Sequence, residues 1–141
     1  MIYITSDHGG FELKKYIVEN IPELTDLGPS EFDPEDDYPD FVPPLVDKVL
    51  EDKENMGIVI CRNGVGVSMA ANKFKGIRAA LSFNIKHAES SRKDDNSNVL
   101  ALPSDYISHE EAIEIVKTWL NAPFSNKERH VRRVAKVNNM I

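Results

Sequence analysis

Gly57-Ile-Val-Ile-Cys61-Arg-Asn-Gly64-Val-Gly66-Val-Ser-Met-Ala-Ala-Asn-Lys73 carries the only cysteine of the 141-residue chain to the point where a buried strand meets a glycine turn and then a helix. In α/β proteins such junctions are where chemistry is done. Four small or apolar residues lead into Cys61, and Gly64 and Gly66 let the backbone turn so that amides from Asn63 to Ser68, Val65 among them, face one hollow. The helix that follows adds its positive dipole end, with Met69, Ala70, Ala71 and Phe74 expected on its inner face. A thiol there is expected to ionise more readily than its usual value of about 8.5. The plain alternative is packing, because a single cysteine at a strand end is often a small buried hydrophobe. The turn is neither a complete dinucleotide fingerprint nor a P-loop.

Outward from this stretch, apolar spacing alternates strand and helix along the whole chain, which predicts one domain over residues 1–141. Strands are expected at Ile2–Thr5, Leu24–Leu27, Gly57–Cys61, Ile77–Phe83 and Asn98–Leu102. Phe11, Leu13, Ile17, Val18 and Ile21 recur at helical spacing before Pro22, as do Phe41, Leu45, Val49 and Leu50 behind Pro39 and Pro43-Pro44. Ser108 with Glu111, and Ser125 with Glu128, have capping-box spacing and predict the starts of the last two helices. Such alternation implies a parallel sheet covered on both faces, with ligands outside the carboxyl ends of its strands. The loops holding Asp7-His8, Cys61–Gly66 and Pro103–Asp105 are therefore brought together.

Composition narrows the function. With 41% hydrophobic and 28% charged residues the chain is that of a globular protein, and a single cysteine leaves no internal disulfide or multi-cysteine zinc site. No apolar run is long enough for a membrane span and no leader precedes the first strand, so no membrane partner and a cytoplasmic address are expected. A net charge of −6 argues against nucleic acid as a partner. The charge is uneven: acidic residues crowd 31–40, while Lys127, Arg129, Arg132, Arg133 and Lys136 crowd the C-terminus. A locally basic helix can still attract a small anion.

Ser6-Asp7-His8-Gly9-Gly10-Phe11-Glu12-Leu13-Lys14, Asp37-Tyr38-Pro39-Asp40, Gly57–Cys61, Ala70-Ala71-Asn72-Lys73, Gly76-Ile77-Arg78-Ala79-Ala80, Asn98-Val99-Leu100 and Arg129-His130-x-Arg132-Arg133-Val134 together resemble the ribose-5-phosphate isomerase B family of sugar-phosphate isomerases. The likeness runs from the first residue to the last helix. It implies a Rossmann-like three-layer sandwich with a five-stranded parallel sheet. It also implies a C-terminal helix reaching a dimer partner, active sites shared between subunits, and neither metal nor organic cofactor. Cys61 matches the base that moves a proton between C1 and C2 of the opened sugar; Val67 stands where another branch has a glutamate. Asp7 and His8 match substrate contacts, His8 toward phosphate, and Tyr38 matches a tyrosine near the sugar. Arg129 and Arg133 match phosphate ligands, and their i, i+4 spacing puts both on one helix face.

The chain departs from the family pattern at four places. Asp94 stands where a ring-opening histidine is usual, Asp95 replaces its asparagine neighbour, Asp105 replaces an arginine of the phosphate cluster, and Arg62-Asn63 replaces a Gly-Thr or Gly-Ser pair. Exchanging arginine for aspartate changes the local charge by two units, and Arg62 is the residue expected to offset it. Asp94 is a candidate ring-opening group or else a solvated helix end. The expected activity is cofactor-free interconversion of ribose 5-phosphate and ribulose 5-phosphate through an enediolate. A homodimer is expected, with a tetramer left open. The alternatives are a cysteine-bearing subunit completed by a histidine-bearing paralogue, and a sugar-phosphate binding protein without turnover.

Overall fold

The computed structural model describes residues 1–140. Five parallel strands, β1 (Ile2–Ser6), β2 (Leu24–Asp26), β3 (Met56–Cys61), β4 (Ala79–Leu81) and β5 (Val99–Pro103), form a sheet in the order β2-β1-β3-β5-β4. The chain winds first from β1 to β2 and then across to β3. The winding direction therefore reverses between β1 and β3, where a ligand crevice is expected.

Strand period explains the two cores. Ile58 and Ile60 of β3, with Leu100 and Leu102 of β5, face the layer of α1 (Phe11–Asn20), α4 (Ile85–Asp95) and α5 (His109–Asn121), which encloses the fully buried Trp119. Val59 and Cys61, with Val99 and Ala101, face α2 (Val42–Leu50) and α3 (Val65–Ala71). Every residue of β3 from Gly57 to Cys61 is buried, as a central parallel strand covered on both sides must be. Pro43 and Pro44 sit in the first turn of α2, where no amide bond is lost. Ser108 and Glu111 form the expected capping box of α5.

Three expectations are corrected. Ser125 and Glu128 do not cap α6 (Glu128–Asn138): Asn126 adopts φ +57°, the helix starts after Lys127, and the Ser125 hydroxyl serves His130 Nδ1 at 2.6 Å and the Lys127 amide at 3.2 Å. Glu128 is left to pair with Arg132 along the helix. The fourth strand shrinks from Ile77–Phe83 to Ala79–Leu81, because the Asn98 side chain, rather than a neighbouring strand, accepts the Arg78 amide at 2.8 Å. On α3 the inner face is Val67, Ala70, Ala71 and the following Phe74, at i, i+3, i+4 and i+7; of the expected set only Met69 points outward, at 63% exposure, because it lies off that stripe.

Candidate active site

Cys61 ends β3 at the carboxyl edge of the sheet and is 5% exposed. It closes the α2/α3 core, yet its Sγ lies 3.7 Å from Asn63 Oδ1 on the turn, so the sulfur sits at the rim of that core rather than within it. The turn is fixed by Gly64 at φ +72°, where a Cβ would lie 3.1 Å from backbone atoms of Leu102 and Pro103; only glycine accommodates both demands. At Gly66 a Cβ would lie 2.5 Å from Tyr38 Cζ, so the tyrosine ring rests on bare backbone and walls the turn. Asn63 does a second job: its Oδ1 accepts the Val65 amide at 3.0 Å. The Ser68 amide donates to Gly64 O at 3.3 Å and the Ser68 hydroxyl to Val65 O at 2.9 Å. Of the expected amide cradle, Asn63, Gly64, Gly66 and Val67 thus remain without a protein acceptor among the described residues, while Val65 and Ser68 are committed.

Three strand ends are laced together here. The Asp7 amide bonds Ile60 O at 3.3 Å, Ser104 and Asp105 amides bond Cys61 O and Arg62 O at 3.0 and 2.9 Å, and Ser104 Oγ reaches Gly9 O at 2.7 Å. Asp7 is buried and caps the turn His8–Gly10 through the Gly10 amide; burial pushes its carboxyl up, opposed by that hydrogen bond and by His8. His8 is held from the acidic loop: Asp36 Oδ1 takes the His8 amide at 2.9 Å and lies 2.6 Å from Nδ1. The Asp36 hydrogen bond holds the imidazole above its usual range, with Asp7 assisting and partial burial and Arg62 opposing. Arg62 forms an exposed ion pair with Asp105, its guanidinium 3.7 Å from Asp105 Oδ1. From the sequence, Arg62 is expected to replace the phosphate contact or stabilise the thiolate; its partner in the fold is Asp105. Sequence reasoning missed Asp36, which sits 28 residues from its partner and looked like one more charge in an acidic loop.

The other expected site residues lie elsewhere. In the β3–β5 register Gly57 faces Val99 and Cys61 faces Pro103, and α4 delivers the chain back to the start of β5. Asp94 and Asp95 therefore sit near the amino end of the sheet, four residues below Cys61 along β3, roughly 13 Å at strand rise. Arg129 and Arg133 share that end: α6 is anchored by His130 Nε2, 3.7 Å from Asp94 Oδ1, and by Asn138, which accepts from Arg78 at 3.1 Å. Asp94, Asp95, Arg129 and Arg133 are all exposed. A cleft of about 810 Å³ runs beside edge strand β4 and is lined by Lys73, His87, Asp95, Arg133 and Val137; Cys61 is not among its walls. Within one chain the thiol and the arginine pair do not meet.

The profile of the Ribose/Galactose Isomerase family matches residues 2–137. A "Probable ribose-5-phosphate isomerase B" of Mycoplasma genitalium is 47% identical over 141 residues, covering 96% of this chain and 92% of the relative. A ribose-5-phosphate isomerase B of Mycolicibacterium paratuberculosis is 33% identical over 137 residues, covering 94% and 86%. Among solved structures, ribose-5-phosphate isomerase B from Mycoplasma genitalium with bound ribulose-5-phosphate superposes with a TM-score of 0.93 at 46% identity, covering 97% of this chain and 93% of that one. The Thermotoga maritima enzyme also gives 0.93, at 38% identity and coverages of 99% and 97%. A cysteine on a glycine turn, a sheet that reverses its winding beside Asp7-His8, and a sequence match running almost end to end have one common source: the chain belongs to the ribose/galactose isomerase family.

Proposed function

We propose that the protein is a cofactor-free aldose–ketose isomerase that interconverts ribose 5-phosphate and ribulose 5-phosphate. The observation that carries this is the position of the Cys61 sulfur. It ends the central strand at the rim of the core, 3.7 Å from Asn63 Oδ1, beside a turn with unengaged amides and next to Asp7-His8. As thiolate, Cys61 removes the C2 proton of the open-chain aldose and returns it to C1; the enediolate oxygen between these steps is held by the Gly66 and Val67 amides. The Mycoplasma genitalium relative, with ribulose-5-phosphate bound, supports this choice of substrate.

The separation of the two halves supports a homodimer with shared sites. Cys61, Asp7, His8 and Tyr38 of one copy supply the chemical end, while Arg129 and Arg133 of a second copy supply the phosphate clamp, Asp94 the ring-opening group and Asp95 a substrate contact. The nearly unburied α6, with Val131 and Val137 exposed and Met140 exposed just beyond its end, supports its packing on a second chain. The reading takes the protein to be cytoplasmic, where such metabolites are handled. Incubation with ribose 5-phosphate in deuterated water tests it: solvent deuterium is expected at carbon, and Cys61→Ala is expected to abolish both exchange and turnover. Tight binding of the sugar phosphate with no label in carbon would overturn it.

The subunit reading is favoured by one observation: Asp94 Oδ1, the candidate ring-opening group, lies 3.7 Å from His130 Nε2 of its own chain. Turnover by the purified single chain decides against it; turnover only after mixing with a histidine-bearing paralogue decides for it.

A further inference from the structure

The acidic loop contributes one side chain to the site that no motif points to. Asp36 lies on a loop whose remaining carboxylates, Glu31, Asp33, Glu35, Asp37 and Asp40, are exposed, whereas its own side chain is only 8% exposed. One oxygen receives both the backbone amide of His8, at 2.9 Å, and the ring Nδ1, at 2.6 Å. The other oxygen is buried without a partner among the described residues. Phe32 of the same loop sets its ring edge-on to His8, at 6.3 Å and 79°, and to Phe11, at 5.9 Å and 69°. The loop thus grips the histidine by charge on one side and by aromatic contact on another. These contacts hold the ring, and among the described residues its Nε2 has no hydrogen-bond partner.

We propose that Asp36 is a positioning residue: it fixes the orientation of the His8 ring and keeps it as an imidazolium whose Nε2–H is offered to the dianionic phosphate of the substrate. A charged donor on a charged acceptor makes a hydrogen bond roughly twice as strong as a neutral one. The charged groups facing the ring are Asp36 and Asp7, which favour the cation, and Arg62, which opposes it and is itself paired with Asp105. Asp7, His8 and Asp36 also present ligand atoms within 4.8 Å of one another. The 2.6 Å separation of Nδ1 from Asp36 Oδ1 puts a proton, not a metal ion, between them. This role rests on the isomerase reading for the identity of the phosphate, but not for the state of the ring.

The test separates the two. In protein labelled with ¹⁵N-histidine, the His8 midpoint is expected to fall to lower pH in Asp36→Asn and to stay nearer that of the natural protein in Asp36→Glu; an unmoved midpoint in Asp36→Asn overturns the proposal. With ribose 5-phosphate, kcat/KM of Asp36→Asn is expected to lose its alkaline limb at lower pH, chiefly through KM, with about a tenfold loss for each unit the midpoint moves. A loss of the same size at every pH overturns the proposal and leaves Asp36 a loop residue. In a His8→Asn background the Asp36→Asn change is expected to add nothing; an undiminished further loss again overturns it. Should the natural protein not turn over ribose 5-phosphate at all, the isomerase reading falls, and the His8 titration alone still decides for or against the grip of Asp36.

Discussion

The carboxyl edge of the sheet and the C-terminal helix carry charged and reactive residues of equal chemical interest, yet they are built in opposite ways. At the carboxyl edge, loops from β1, β3 and β5 are tied by hydrogen bonds between Asp7 and Ile60, Ser104 and Cys61, Asp105 and Arg62, and Ser104 and Gly9. In α6 a single residue, His130, is buried, and its guanidinium groups stand in solvent. A tied loop can hold a thiol within the tolerance that proton transfer needs. A helix with one buried residue holds its arginines in place only when something packs against it. One half of the site is built within the chain, and in the proposed function the other is completed by a second copy.

The largest effect expected from this contrast is at Cys61. Cys61→Ala should lower kcat by about 10³-fold or more, within the upper range for loss of a general base, with KM little changed. A retained rate in a coupled assay for ribulose 5-phosphate would break the assignment of chemistry to the tied half. Arg133→Ala should act differently, raising KM by about tenfold to a hundredfold through the lost charge-assisted bonds to phosphate, with less effect on kcat. Mixing inactive Cys61→Ala with Arg133→Ala protein sharpens the comparison, because shared sites regain turnover in mixed dimers and self-contained sites do not.

Gly64→Ala should cost about 2 kcal/mol of stability, the strain of a side chain at positive φ, read as a lowered thermal midpoint. An equally large drop from Val131→Ala on exposed α6, in monomer, would erase the difference between the halves. The exposed Arg62–Asp105 pair is expected to be worth at most about 1 kcal/mol. Arg62→Ala should therefore leave the melting transition almost unmoved, while raising KM a few-fold because Asp105 then repels phosphate. The smallest effect is in stability against pH. His8 has its pKa raised by Asp36, so the pair stabilises the fold fully below about pH 6.5, the unfolded value, and this contribution fades as pH rises through the raised folded value. The pH dependence of melting should lose this step in His8→Asn.

Much of the site was legible residue by residue. Cys61, Asp7, His8, Tyr38 and the arginine pair all belong to motifs readable in order along the chain, whereas the pairing of Arg62 with Asp105 came only from the fold. Illegible were contacts made across sequence distance by residues of ordinary type. Asp36 reaches His8 across 28 residues, and His130 is drawn from a basic run into the fold by Ser125 and Asp94. Local competition also escaped notice: Asn126 in the left-handed region diverted Ser125 from the cap its spacing promised.

The order of elements, the parallel sheet and the cysteine at the end of its central strand follow from the amino-acid sequence alone. Hydrophobic period and glycine placement are local properties, and each element obeys them before any packing occurs. Which loops meet, which amides remain free at the turn, and the separation of Cys61 from Arg129 and Arg133 were decided only by tertiary structure. They depend on strand register and on where α4 and α6 return the chain, and those are properties of the packed whole, not of any segment in it.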